Sequence, residues 1–145
     1  MTNSSRSSVY QAIYKSAETG SQSVEDVLPM VSDNGLREVL LKHKKEYERL
    51  SDEAESRLAM LGESVKEPGI FAKAGMKLGI EMNTALNTSS SHIAEMLING
   101  STMGITNITK IMNGYPDAQD GVKSLAQRFI DSERENIENM KKYLQ

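Results

Sequence analysis

Leu36–Leu61 reads LREVLLKHKKEYERLSDEAESRLAML. Leu36, Val39/Leu40, His43, Tyr47, Leu50, Ala54, Leu58 and Leu61 recur three or four positions apart, so one helix would align them all on a single face. The other face is dense in Lys and Glu, which stay in water. A helix of this kind must bury its apolar stripe against neighbours. Asp33-Asn34-Gly35 supplies a turn before it, and Gly62 closes it.

The flanking sequence supplies those neighbours. From about Ser8 to Ser32, the positions Val9, Ile13, Ala17, Gly20, Val24, Val27/Leu28 and Val31 form a second stripe. Residues 1–7 are expected to be disordered, with the Ser-rich lead-in offering a cap and Pro29 loosening the last turn. The short link at Asp33–Gly35 makes these two helices an antiparallel hairpin. Two more stripes follow, at about His92–Gly114 and Asp117–Leu144. The first carries Ile93, Met96/Leu97, Gly100, Gly104, Ile108, Ile111/Met112 and Tyr115. The second carries Val122, Leu125/Ala126, Phe129, Glu133, Asn136/Ile137, Met140 and Leu144. Gly114-Tyr115-Pro116 separates them. The second hairpin loosely repeats the first, with Gly20–Leu28 lying over Gly104–Met112 and Leu36, Val39 and His43 over Val122, Leu125 and Phe129.

Residues 63–91 join the hairpins. Glu67-Pro68-Gly69 breaks the chain, Ile70–Leu86 has the spacing of a short helix, and Asn87–Ser91 offers a second break and a supply of N-caps. An unbroken helix from Ile70 to Asn113 competes with this reading, because apolar spacing survives across the Ser run. Helices of about 26 residues are roughly 39 Å long, and a crossover helix of 16 residues covers roughly 24 Å of that. A few extended residues complete the span, so the connection can return across the bundle and leave the two middle helices parallel.

Composition narrows the function. The 145 residues fit one domain, residues 1–145, with a formal net charge of -3 and both signs interspersed. No basic stripe marks a phosphate-binding face, so nucleic acid is not an expected partner. There are 0 Cys, which removes disulfides and thiolate metal sites and suits a reducing cytoplasm. No signal peptide and no apolar run of membrane-spanning length is readable. Aromatic residues are only 5%, while 9 Met suit the irregular gaps of a helix core.

This layout resembles the ferritin-like four-helix bundles, and locally their rubrerythrin-like members. The resemblance implies an all-α bundle of two antiparallel hairpins with a crossover helix between bundle helices two and three. Di-iron members place one Glu on the first and third helices and Glu-x-x-His on the second and fourth. The rubrerythrin pattern Gly-Glu-Ser-Gln is similar to Thr19-Gly20-Ser21-Gln22, which puts Gly20 where a carboxylate belongs. The internal repeat puts Gly104 in the matching place. Glu46-x-x-Arg49 and Glu133-x-x-Asn136 stand where the Glu-x-x-His pairs belong, with Arg and Asn replacing His. The resemblance therefore implies a degenerate di-iron site: no cofactor, no catalytic residue and no metal. If a metal site does survive, Glu18, Glu46, Glu95 and Glu133 are its candidates.

Gly20, Tyr47, Gly104 and Glu133 fall near the middle of their stripes, so packing brings them to one level. Two glycines leave a hollow that Tyr47 and Glu133 are large enough to fill. A buried Glu needs a partner or a raised pKa, and the Tyr47 hydroxyl is the expected partner, with Asn136 one turn away. The alternative is that Glu133 leans to the bundle edge and stays solvated. His43, one turn before Tyr47, completes the expected mid-bundle polar layer as a packing residue. His92-x-x-Glu95 has metal-ligand spacing but sits at an expected helix start.

The expected function is that of a non-catalytic bundle acting through self-association or contact with another protein, with a homodimer as its form. The positive feature is a smooth surface of Gly69, Ala72, Ala74, Gly75 and Gly79 beside Lys73 and Lys77 on the crossover. A metal-binding or redox bundle using the remaining glutamates is the alternative. Peripheral membrane binding through Ile70–Leu86 is a third class, weakened by having few lysines.

Overall fold

A computed structural model describes residues 1–66 and 89–145. Among them are four long helices and no strand. Helix α1 spans Asn3–Val27 and α2 spans Asn34–Met60, while α3 spans Ser90–Asn113 and α4 spans Asp120–Lys141. A single 3-10 turn, Leu28–Met30, holds Pro29 and joins the first two. The all-α architecture follows from the four apolar stripes.

The helix boundaries depart from expectation in ways the caps explain. Helix α1 begins at Asn3 and not near Ser8, because the Thr2 side chain accepts from the Ser5 N–H at 3.0 Å. The first seven residues are therefore largely helical, and Ser7 is buried. Asp33 caps α2 in the same way, accepting from the Leu36 N–H at 2.8 Å. Gly62 ends α2 with φ +75, where a Cβ would be strained. Ser89 has extended backbone and accepts from the His92 N–H, so α3 starts inside the Ser run and no helix continues through it. The expected crossover helix Ile70–Leu86, and with it the small-residue surface at Gly69–Gly79, lies outside the described residues.

Helix α1 packs along α2 and α3 along α4, and contacts of α1 with α3 and of α2 with α4 close the ring. The contacts at the ends fix directions. The Met1 amino group lies 3.2 Å from Asp117, just beyond α3. The Gln145 N–H donates to Ser91 at the start of α3, at 3.0 Å. Helices α1 and α3 therefore run in opposite directions. Gln11 on α1 holds the chain leaving α2, donating to the Ser64 carbonyl and accepting from the Lys66 N–H. On the far side Glu53 of α2 takes Arg57 of its own helix and Arg128 of α4, pinning one hairpin to the other.

The core follows the stripes. Val9, Ile13, Leu36, Leu40, Leu50, Leu58, Ile108 and Phe129 are fully buried. Helix α3 is the exception. Of its stripe, only Ile93 and Ile108 are buried, whereas Met96, Leu97, Ile111 and Met112 are half-buried. Leu144, expected at the end of the last stripe, lies beyond α4 and is exposed.

Candidate functional site: a polar layer beneath an open groove

Tyr47, Ser101, Glu133 and Asn136 meet in the middle of the bundle, all buried. The Tyr47 hydroxyl donates to Oε1 of Glu133. Ser101 Oγ donates to the same oxygen at 3.1 Å, and Asn136 Nδ2 lies 3.0 Å from it. Asn136 Nδ2 also lies 3.1 Å from the Tyr47 oxygen. Three donors from α2, α3 and α4 thus converge on one carboxylate oxygen. Glu133 does not lean to the bundle edge.

Two glycines make room for this layer. A Cβ on Gly20 would lie 2.4 Å from Cε1 and Cζ of the Tyr47 ring. A Cβ on Gly104 would lie 2.6 Å from Oε2 of Glu133 and 3.3 Å from the Phe129 ring. Each large side chain therefore rests against a bare stretch of the helix opposite, as the stripe midpoints imply. His43 joins the periphery of the layer from one turn away, with Nε2 3.2 Å from Asn139 Nδ2.

Burial sets the charge states. It pushes the Glu133 carboxyl up to about 7, and the hydrogen bonds from Tyr47, Asn136 and Ser101 pull only partly the other way. Burial likewise raises the Tyr47 hydroxyl well above its ordinary value, helped by the neighbouring Glu133. It lowers His43 to about 4, so the imidazole is neutral near pH 7. The layer is a set of satisfied, mostly neutral groups.

The other glutamates do not join it. Glu18 is half-buried on α1, Glu95 is exposed on α3, and Glu46 pairs with Arg49 on the surface at 3.4 Å. His92 begins α3 away from the layer. Among the described residues no three His, Cys, Asp or Glu side chains come together as a metal would require. Of the expected polar layer, the structure gathers Gly20, Tyr47, Gly104, Glu133 and Asn136, with His43 at its margin.

Two features escaped the sequence reading. Ser101 is the third donor, and its position three residues before Gly104 places it on the same helix face. The second is a groove of about 900 Å³ between α1 and α3, floored by the polar layer. Its α1 wall carries Ala12, Ser16, Gly20 and Ser23, and its α3 wall carries Gly100 and Gly104. The signal was present. Small residues on both facing stripes cannot fill the space between two helices, which is why α3 leaves its apolar side half-buried.

Compared with known proteins, the chain matches no family model, no curated protein and no solved structure. No described helix is long and apolar enough to cross a membrane.

Proposed function

We propose that this chain is a non-catalytic, ferritin-like helical bundle that works by binding, with the α1–α3 groove as its contact surface. The observation that carries the reading is the groove, whose volume falls within the range of about 300–1,000 Å³ typical of ligand sites. Beneath it, Oε1 of Glu133 is occupied by three internal donors, which favours a structural layer over a reacting one.

The ferritin-like part rests on helix directions. With α1 opposed to both α2 and α3, the middle helices α2 and α3 run parallel, which supports a ferritin-like arrangement. Glycine at positions 20 and 104 then replaces the carboxylates of the di-iron members, and Tyr47 and Glu133 take their volume. Absence of cysteine keeps a reducing cytoplasm as the proposed compartment.

The test uses Gly100, which lines the groove and whose added Cβ would meet nothing within 4 Å. The neutral dye Nile red should bind the wild type saturably and one-to-one. Gly100→Trp should abolish that binding while keeping its helical circular dichroism. Equal dye binding by both proteins overturns the groove as the binding surface. The expected homodimer drew on residues outside the described ones, and sedimentation equilibrium decides it separately.

A further inference from the structure

We propose that the groove takes a free long-chain carboxylate, its anionic head held between Lys15 and Lys110 and its chain lying over the glycine layer toward Met96 and Met140. This rests on the groove being the binding surface, and adds the chemistry of what binds there.

The placement follows from helix directions. Lys15 lies five residues before Gly20 on α1, and Lys110 lies six residues after Gly104 on α3. Because α1 and α3 run in opposite directions, both lysines sit on the same side of the glycine layer, about 8–9 Å from it at 1.5 Å per residue. Both line the groove, one on each wall. Both are exposed, and neither forms an ion pair among the described residues. The one acid among the described lining residues is Glu133, whose Oε1 already accepts three hydrogen bonds. On the other side of the layer the lining brings in Val24, Leu97, Met96 and Met140, interleaved with Ser23, His43 and Asn99, and carries no further cation. The groove is therefore cationic at one end only, with these four apolar side chains beyond the layer at the other.

Dimensions select the occupant. From Lys110 to Met96 is 14 residues of α3, about 21 Å. The hydrocarbon core of a bilayer is about 30 Å thick, so one acyl chain spans about 15 Å and leaves room here for its head. Ammonium groups on both walls repel a cationic head and leave a neutral one without a charge partner. Flexible Met side chains suit a chain without fixed shape.

The experiment is displacement of Nile red from the full chain by hexadecanoate, hexadecanol and dodecyltrimethylammonium, each below its aggregation threshold. Hexadecanoate should displace the dye one-to-one and at least tenfold more tightly than the other two. The pair Lys15→Gln with Lys110→Gln should erase that preference and leave hexadecanol unchanged, since both lysines are exposed and their loss leaves the core intact. Equal competition by hexadecanol or the cationic amphiphile, or an unaltered preference in the double variant, overturns the assignment of the head. In that case dye binding still sensitive to Gly100→Trp leaves the groove reading standing. Dye binding insensitive to Gly100→Trp removes both.

Discussion

The Tyr47 hydroxyl donates to Oε1 of Glu133 across the bundle, joining residues 86 positions apart in the sequence. The same oxygen of Tyr47 lies within reach of Asn136 Nδ2, so it connects two members of the layer. Tyr47→Phe leaves a buried carboxyl and a buried amide each short of a partner. It should cost on the order of 1–3 kcal/mol, read as a lower urea midpoint at unchanged slope. An unchanged midpoint means the hydroxyl contributes nothing to folding.

Glu133 and His43 should pull stability in opposite directions as pH changes. The folded carboxyl keeps its proton up to about 7, whereas its ordinary value is 4.5. The native state therefore holds an extra proton between those values, and this contribution is full below about 4.5 and lost as pH rises through 7. At about 1.4 kcal/mol per pH unit the total is on the order of 3 kcal/mol. His43 has the reverse sign, because its folded value near 4 lies below the ordinary 6.5. Its contribution is present above 6.5 and lost as pH falls toward 4. Between about 5 and 6.5 the two offset one another. Relative to wild type, Glu133→Gln should gain stability with rising pH, and His43→Asn should lose it. Urea midpoints that run parallel from pH 5 to 8 for all three proteins refute the burial of these groups.

Three groove glycines should answer differently to alanine. Alanine is favoured over glycine within a helix by about 1 kcal/mol. Gly100→Ala meets nothing and should gain close to that amount. Gly104→Ala presses on Oε2 of Glu133, whose other oxygen is held by three donors, and on the Phe129 ring, so the gain is more than offset. Gly20→Ala meets the rigid Tyr47 ring and should be the most destabilising of the three. The thermal midpoints should rank Gly100→Ala, Gly104→Ala, Gly20→Ala from highest to lowest, and any other order contradicts the packing described.

Protein purified without chelator should carry no stoichiometric iron, manganese or zinc by elemental analysis. Glu18, Glu46 and Glu95 stand apart from Glu133, and among the described residues no three His, Cys, Asp or Glu side chains gather as a metal site needs. Two metal ions per chain, retained through gel filtration and lost in Glu133→Ala, would restore the metal-binding alternative.

The helices and their inward faces were legible because each stripe repeats at helical spacing through a long run. Gly20, Tyr47, Gly104 and Glu133 could be placed at one level from stripe midpoints alone, since antiparallel hairpins with short turns have little freedom to slide. The start of α1 was not legible. Thr2 caps from outside the apolar stripe, and a hydroxyl in a Ser-rich stretch looks like every other hydroxyl there. Ser101 was missed for a related reason, as serine signals neither burial nor exposure by its type. The groove is a property of two facing surfaces. Each small-residue stripe alone is compatible with tight packing, and only their juxtaposition leaves space.

The close approach of Gly20 to Tyr47, and of Gly104 to Glu133, constrains the order in which this layer can change. A carboxylate cannot enter at position 20 while the tyrosine ring stands 2.4 Å from where its first carbon would go. The ring must shrink first, and shrinking it alone strips Glu133 of a donor. Enlarging position 20 or shrinking position 47 alone therefore passes through a less stable protein, whereas the paired exchange avoids both losses. A library randomising positions 20 and 47 together, or 104 and 133 together, should recover folded combinations whose individual members are lost when screened one at a time. The layer is held in place by the mutual fit within each pair as much as by its hydrogen bonds.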